Sequence, residues 1–184
     1  MNITAVKLGK ISVPTNNNFK RELRGIIDRY DYYVKQREVH TISIARDNTS
    51  ELTIHQYYEA PTVHKYLEDT VGYGNGFEDS SLLFRNVHEH EDDWPDLRYL
   101  GKNRSPGFLH IVLNGSFTLV SGRTKIDLEV GDVFLLNPNK THSVINSKVN
   151  KTRKRYYTNI TMCRTVPMMC YNKSIPETLK ILKD

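Results

Sequence analysis

The densest group of potential metal-binding side chains lies in the run His88-Glu89-His90-Glu91-Asp92-Asp93. Alternate residues of a β-strand share a face, so a strand here would carry His88, His90 and Asp92 on one side. Imidazole nitrogen and carboxylate oxygen together suit first-row transition metals. The run is therefore a candidate metal-binding strand.

A further histidine follows in a patterned segment later in the chain. Gly131-Asp132 predicts a tight turn into an apolar strand, Pro138 ends that strand, and His142 begins the next one. We expect His142 to join His90 in one metal site, with a third ligand close to His90 in the sequence. That third ligand is either Asp92 or His88, because strand parity allows both.

From residue 81 onward, short strand-like runs alternate with turn residues. The run LLFRNVHEH reads as one strand, and glycine, asparagine and proline mark the later turns. The further predicted strands are 108–114, 117–120, 124–128, 133–136, 142–146 and 155–162. Strands this closely spaced, with helices before and after them, are typical of a β-sandwich or barrel.

The first 80 residues have a different pattern. Apolar residues at helical spacing predict a helix over about 19–36, which the asparagines at 16–18 could cap. Two strand-like runs, 38–45 and 52–58, are separated by turn residues, and Pro61 starts a short helical run. We therefore predict an N-terminal helix and hairpin layer at 1–80, a β core at 81–166 and a C-terminal tail with a short helix at 167–184.

The stretch GDVFLLNPNKTHSVIN resembles the second conserved motif of cupins, and HEH resembles the paired histidines of their first motif. The resemblance implies a mainly β fold, a double-stranded β-helix, also described as a jelly-roll or cupin-like barrel. One position departs from the family pattern. Phe108 stands where cupins usually place a ligand glutamate, and the gap after HEH is longer than usual.

The chain also resembles iron(II)- and 2-oxoglutarate-dependent oxygenases, most closely their aspartyl/asparaginyl β-hydroxylase branch. His90-Glu91-Asp92 is similar to their His-x-Asp/Glu motif, His142 to their distal histidine, and Arg153 or Arg155 to the arginine beyond it. The resemblance implies a dioxygenase that hydroxylates or oxidatively modifies an unknown substrate. Iron(II) would be bound by two histidines and one carboxylate, and an arginine would hold the far carboxylate of 2-oxoglutarate with paired hydrogen bonds.

Two alternatives remain open. The first is a cupin that uses His88, His90 and His142 for a metal, or binds no metal, and acts as a small-molecule-binding protein or an isomerase-like enzyme. The second is a non-catalytic barrel used as an interaction module. His110 lies in an apolar strand, where a structural role is the simpler interpretation and a barrel-lining role is the other.

Composition limits location and partners. The two cysteines, Cys163 and Cys170, fit a reducing cytoplasm, and no apolar run reaches the roughly eighteen residues of a membrane span. The net charge of +5 includes basic clusters at 20–24 and 148–155, but no nucleic-acid module accompanies them, so nucleic-acid binding is unsupported. We expect a cytoplasmic protein with a small-molecule or polypeptide substrate and no membrane partner, and leave open a homodimer.

Overall fold

The computed structural model describes residues 4–26, 41–45, 54–55, 60–72, 80–84, 88–90, 106–137, 140, 142–145 and 160–183. Asp92, Arg153 and Arg155 lie outside these residues. So do the predicted turn at 47–50 and the parts of the predicted helix and strands that fall in the intervening segments.

The described strands form two sheets. They are β1 (Ala5–Lys10), β2 (Thr41–Ala45), β3 (Ile54–His55), β4 (Ser80–Phe84), β5 (His88–His90), β6 (Pro106–Asn114), β7 (Ser116–Ser121), β8 (Thr124–Glu129), β9 (Asp132–Leu136), β10 (His142–Ile145) and β11 (Ile160–Pro167). The larger sheet has the order β1-β9-β6-β11-β4-β2-β3, and the smaller has the order β5-β10-β7-β8. Within each sheet, neighbouring described strands pair antiparallel, except that β2 and β3 pair in parallel.

The two sheets pack face to face around an inner core. The ring of Phe117 on β7 lies 6.2 Å from the ring of Phe134 on β9, in an edge-to-face arrangement. The buried apolar residues of this core are Ala5, Phe108, Val112, Phe117, Leu119, Leu128, Phe134, Leu136 and Cys163. These facing antiparallel sheets confirm the prediction of a mainly β fold of the jelly-roll type.

The larger sheet is also covered on its outer face. The helices are α1 (17–26), α2 (Pro61–Val71) and α3 (Ile175–Lys183), with a 3-10 turn at Met168–Asn172. Residues of α1, α2 and α3 share an outer core with Leu109, Ile111 and Val133 of the sheet. Burial on both faces explains why all five residues of β9 are buried and why the four residues after Asp132 form one apolar run.

Helices α1 and α2 begin as the sequence indicates, and α1 stabilises the start of α2. The Asn16 carboxamide oxygen accepts a hydrogen bond from the Phe19 backbone N–H at 2.9 Å, which makes Asn16 the cap of α1. Ala60 offers no capping side chain to α2. Instead, the buried carboxylate of Glu22 accepts a hydrogen bond from the Val63 N–H at 2.9 Å. One helix therefore supplies the capping group of the next.

Helix α3 begins with a capping box. The Ser174 backbone N–H donates to the Glu177 carboxylate at 2.8 Å, and the Glu177 N–H donates to the Ser174 hydroxyl at 3.4 Å. The Ser174 hydroxyl also donates to the Glu177 carboxylate, at 2.7 Å. This hydrogen bond, together with the one from the Ser174 backbone N–H, holds the pKa of the Glu177 carboxyl below its usual value. Leu182, further along the helix, lies in the outer core. The predicted C-terminal helix is thus present and packed on the sheet.

The predicted tight turn at Gly131-Asp132 lies between β8 and β9. The buried Asp132 carboxylate accepts hydrogen bonds from the Glu129 backbone N–H and from the Lys7 ammonium group, both at 2.8 Å. The Ile11 N–H donates to the Gly131 carbonyl at 2.8 Å. This turn therefore connects β1, through Lys7, and the residue that follows it, Ile11, to the start of β9.

Two predictions about strands need correction. The run LLFRNVHEH does not belong to a single sheet, because its described ends differ in their partners: β4 pairs with β11 in the larger sheet and β5 pairs with β10 in the smaller one. The predicted hairpin of the N-terminal layer is also wrong, because β2 and β3 pair in parallel, with Ile44 opposite Ile54. The antiparallel partner of β2 is β4, a distant strand, so local turn residues could not reveal its pairing.

The N-terminal segment contributes to the sheet itself as well as to its cover. Strand β1 pairs along β9 with Ala5 opposite Leu136, at the edge of the larger sheet.

None of the helices within the described residues is both long enough and apolar enough to cross a membrane.

Candidate metal centre

Strands β5 and β10 bring two of the predicted metal-binding positions together. In their antiparallel register, His142 is opposite His90, Ser143 is opposite Glu89, and Val144 is opposite His88. Directly opposed positions of an antiparallel pair lie on the same face, with Cβ atoms about 4.5–5.5 Å apart. The positions of all three histidines therefore share one face of the smaller sheet.

That face is the inner one. Strand β7 alternates between partly exposed and buried residues, with Phe117, Leu119 and Ser121 buried. Val144 on β10 is opposite Leu119, so the positions of His142 and Val144 have the same orientation as the inner-core residues of β7. The side chain of His142 is 1% exposed, in agreement with this assignment.

A short turn orients the His142 ring. The Lys140 backbone N–H donates to the Asn137 carbonyl at 3.2 Å, which turns the chain between β9 and β10. The Lys140 carbonyl then lies 3.4 Å from Nδ1 of His142. A carbonyl oxygen can only accept, so this contact requires the proton on Nδ1. In the neutral ring the lone pair then belongs to Nε2, the nitrogen that would bind a metal.

The other predicted site residues are described less fully. The backbone positions of His88 and His90 are given by β5, and their side chains are not described. Asp92, Arg153 and Arg155 lie outside the described residues. Among the side chains that the structure does describe, no three histidines, cysteines or acidic residues are grouped closely enough to hold a metal ion. Among the predicted ligands, His142 is the one whose side chain the structure describes.

His110 is a polar residue of the inner core that the sequence did not assign to the site. Its side chain is fully buried on β6, between Phe108 and Val112 of the inner face. Nδ1 lies 3.1 Å from the Thr161 hydroxyl oxygen, and the ring stacks on Phe134 with a centroid distance of 4.6 Å. In the sequence, His110 stands two residues from both Phe108 and Val112. Because alternate residues of a strand share a face, this spacing indicates that the three side chains point the same way.

No protein-family model matches this chain, and neither does any curated protein. Among solved structures, it is similar to a cupin protein from Bacteroides fragilis, with 13% identity and a TM-score of 0.31 over 55% of this chain and 73% of that one. It is also similar to a non-haem monooxygenase, the ThoJ-Ni complex, with 12% identity and a TM-score of 0.40 over 90% of this chain and 77% of that one.

A third similar structure is the salicylate 1,2-dioxygenase from Pseudaminobacter salicylatoxidans. The identity is 12% and the TM-score 0.35, over 82% of this chain and 34% of that one. The chain thus spans about a third of the dioxygenase. At these TM-scores the likenesses assign no family, and the fold described above rests on strand order and register.

Proposed function

We propose that this chain is a metal-dependent oxygenase with a cupin-like barrel, and that His90 and His142 bind the metal on the inner face of the smaller sheet. The observation that carries the proposal is the register of β5 and β10, in which these two histidines are directly opposite each other. Two imidazoles at such a spacing can bind one first-row metal ion. The buried His142, with Nδ1 held by the Lys140 carbonyl, supports the same assignment.

The third ligand distinguishes two versions of this function. His88 is supported by its place in β5, opposite Val144 and on the same face as His90. A site of three histidines is the cupin version. Asp92 would instead give two histidines and one carboxylate, the ligand set of iron(II) oxygenases that use 2-oxoglutarate. That version stays a prediction, as do Arg153 and Arg155 as residues that bind the co-substrate.

The metal and the residues of the chain would contribute differently to the reaction. Iron(II), when bound, supplies dioxygen chemistry that no amino-acid side chain provides. The donor set fits such an ion, because neutral imidazole nitrogens bind iron well. The chain contributes the orientation of the His142 ring through Lys140. Buried inner residues such as Leu119, which lies opposite Val144 of β10, would exclude water from the space around the site.

The first experiment measures metal binding. Protein prepared without oxygen is titrated with iron(II), or with cobalt(II) as a more stable substitute. We expect about one ion per chain, and we expect His142→Ala to abolish binding, because too few ligands then remain for a stable site. His64→Ala is the matched control, since His64 is a buried histidine on α2, outside the inner core. Full metal binding by His142→Ala would contradict the proposal.

A second experiment identifies the third ligand. If three histidines bind the metal, His88→Ala should lose most of the metal affinity and Asp92→Ala should retain it. If a carboxylate is required, the order reverses, and His88→Ala should cost about 10- to 100-fold at most, as for a residue that only supports a ligand. The pair of variants therefore decides between the cupin version and the 2-oxoglutarate version.

A third experiment tests the co-substrate. In the 2-oxoglutarate version, adding 2-oxoglutarate to the iron(II) protein without oxygen should produce a weak visible absorption band. Replacing Arg153 and Arg155 together by alanine should weaken its binding by ~1.5–3 kcal/mol, the range for hydrogen bonds to charged groups. Metal binding without any band or thermal shift on addition of 2-oxoglutarate would exclude this version. Candidate small molecules would then be screened as substrates by measuring oxygen consumption.

A further inference from the structure

We propose that the hydroxyl group of Ser121 borders the metal site and donates a hydrogen bond to a small anion bound at the exchangeable position of the metal, the coordination position that no residue of the chain fills. This inference rests on the function proposed above and adds a binding residue to that site. Ser121 is the last residue of β7 and belongs to neither motif of the sequence. It is buried, with 1% of its surface exposed.

Strand register places Ser121 beside His142. In the pairing of β10 with β7, Ser143 is opposite Val120. Continued by one residue, to the first residue of β10 and the last of β7, this register sets His142 opposite Ser121. Directly opposed positions of an antiparallel pair share a face and have Cβ atoms about 4.5–5.5 Å apart. Both residues are 1% exposed, in agreement with neighbouring positions on the inner face.

Ser121 belongs to a row of polar positions that crosses the inner face of the smaller sheet. The row takes one residue from each strand, in the order His90, His142, Ser121 and Thr124. His90 is paired with His142, and Ser121 with Thr124. The other inner positions of β7 and β8 are all apolar, namely Phe117, Leu119, Ile126 and Leu128. On the inner face of these two strands, the hydroxyl groups are thus confined to the row that contains the two histidines.

One set of contacts positions both Ser121 and His142. The hydroxyl of Thr4, which directly precedes β1, donates to the Ser121 carbonyl at 3.2 Å. The Thr4 carbonyl accepts a hydrogen bond from the Asn137 N–H at 2.9 Å. The Asn137 carbonyl in turn accepts the Lys140 N–H, and the Lys140 carbonyl orients the His142 ring. The backbone of Ser121 is therefore held in a fixed place relative to the histidine.

The chemistry of a hydroxyl suits a contact with a ligand of the metal. Three protein ligands leave coordination positions of a first-row ion open. An anion at such a position accepts hydrogen bonds that are about twice as strong as those between neutral groups. A hydroxyl can rotate and can make one hydrogen bond as donor and two as acceptor, so this role is compatible with other interactions of Ser121.

The alternative is that Ser121 only closes the hairpin between β7 and β8. Azide distinguishes the two roles, because it binds as an anion to open positions of cobalt(II) and changes its visible absorption. The full-length protein is titrated first with cobalt(II) and then with azide, for the wild type and for Ser121→Ala. Ser143→Ala is the matched control, since Ser143 is next to His142 on β10 but on the outer face, where it is partly exposed.

We expect Ser121→Ala to keep its cobalt(II) affinity within about tenfold of the wild type, below the 10- to 100-fold cost of losing a residue that supports a ligand. We expect it to bind azide about tenfold more weakly or worse, the factor that corresponds to one hydrogen bond to a charged group. Ser143→Ala should bind both as the wild type does. Ser121→Val, which also lacks the hydroxyl, gives the same test if Ser121→Ala does not fold.

The outcomes are separable. If the Ser121 variants bind azide as tightly as the wild type and lose only thermal stability, Ser121 closes the hairpin, this inference is wrong and the proposed function stands. The inference is also wrong if the wild-type cobalt(II) protein binds no azide, since the metal then offers no position for such an anion. If the wild type does not bind cobalt(II), the proposed function fails and the role of Ser121 fails with it.

Discussion

Gly131 occupies a position that cannot accept a side chain without a change in the backbone. Its φ is +90°, and an added Cβ would lie 2.5 Å from the carbonyl oxygen of Ile11. We expect Gly131→Ala to lower the free energy of unfolding by more than the roughly 1–2 kcal/mol of left-handed backbone strain, because the turn must also move away from Ile11. Urea denaturation followed by fluorescence measures the loss.

Gly122 is the matched control for this substitution. It also has a positive φ, +59°, but the nearest atom to an added Cβ is in the Thr4 side chain, at 4.0 Å. Gly122→Ala should therefore show the backbone strain without the clash. Equal losses of stability in the two variants would show that the contact between Gly131 and Ile11 does not contribute.

The residues of the candidate site were predictable to different degrees. His142 could be identified because a turn, a strand and a proline precede it at a recognisable spacing, and the structure pairs it with His90. The inner position of His110 depends on β9 and β11, strands that lie far from it in the sequence. The pattern around His110 could indicate which face it occupies, but not which side chains surround it there.

At the scale of single elements, Glu22 connects two helices. Its buried carboxylate accepts the Val63 N–H in the first turn of α2, where Ala60 provides no capping side chain. We expect Glu22→Ala to destabilise the protein by about 1.5–3 kcal/mol, the range for hydrogen bonds to charged groups. Glu22→Gln should cost less, because the amide oxygen can still accept the bond while the favourable charge at the helix N-terminus is lost.

Thermal and urea unfolding of both Glu22 variants provide the measurement. Glu68→Ala is a suitable control, since Glu68 lies on α2, the helix that contains Val63, and its side chain is 46% exposed. If Glu22→Ala unfolds like the control, the hydrogen bond to Val63 does not hold α1 and α2 together.

Helix α3 should depend on pH through its capping box. The hydroxyl and backbone N–H of Ser174 lower the pKa of Glu177 from its usual value of 4.5, so the stabilisation is present above that value. It is lost as the pH falls through the lowered pKa of the folded state. We expect the protection factors of the backbone amides of α3, which compare observed exchange with the intrinsic rate at each pH, to fall below about pH 4.5.

Glu177→Gln removes the titrating group and should make the protection factors of the α3 amides much less dependent on pH over this range. Ser174→Ala removes the cap at every pH and should cost about 0.5–2 kcal/mol, the usual range for loss of a cap. An unchanged pH dependence in Glu177→Gln would assign the effect to another group.

Elements with strong local signals were predicted well, and those defined by distant partners were not. Pro61 at the start of α2 and Gly72 in the left-handed conformation at its end mark the helix in the sequence. The segment 82–90 reads as one strand because its local composition is continuous. Its division between two sheets follows from pairing with β10 and β11, which no local pattern encodes.

At the scale of the whole molecule, strand β1 completes the larger sheet. Ala5 packs in the inner core, and Lys7 pairs with the buried Asp132. A chain that lacks residues 1–10 would expose the edge of β9 and leave the Asp132 carboxylate without its cation. We expect this shortened chain to unfold at a lower temperature and to self-associate, as measured by calorimetry and size-exclusion chromatography.

Lys7→Met provides a milder comparison, since it removes the cation while keeping the strand. It should lower the melting temperature less than the deletion does. A shortened chain that stays monomeric and melts like the full chain would show that β1 contributes little to the barrel.

The fold class followed from the sequence because closely spaced short strands with turn residues leave few alternatives to a sandwich or barrel. The role of the first 80 residues was harder to predict from the sequence. Their helices were expected as a cover, and the structure adds β1 and β2 to the sheet. Whether a segment covers a sheet or joins it depends on the edge that is available, and this is a property of the whole fold.

The pairing of Ala5 with Leu136 has a consequence for the newly made chain on the ribosome. Synthesis proceeds at about 5–20 residues per second, so β1 waits on the order of ten seconds before its partner strand emerges. During that time its backbone is open to neighbouring nascent chains. Lys7 and Lys10 place two positive charges along this edge, and lysine on an open edge discourages unwanted strand pairing. The same side chains that later bind Asp132 and Glu129 can thus keep the unfinished protein soluble.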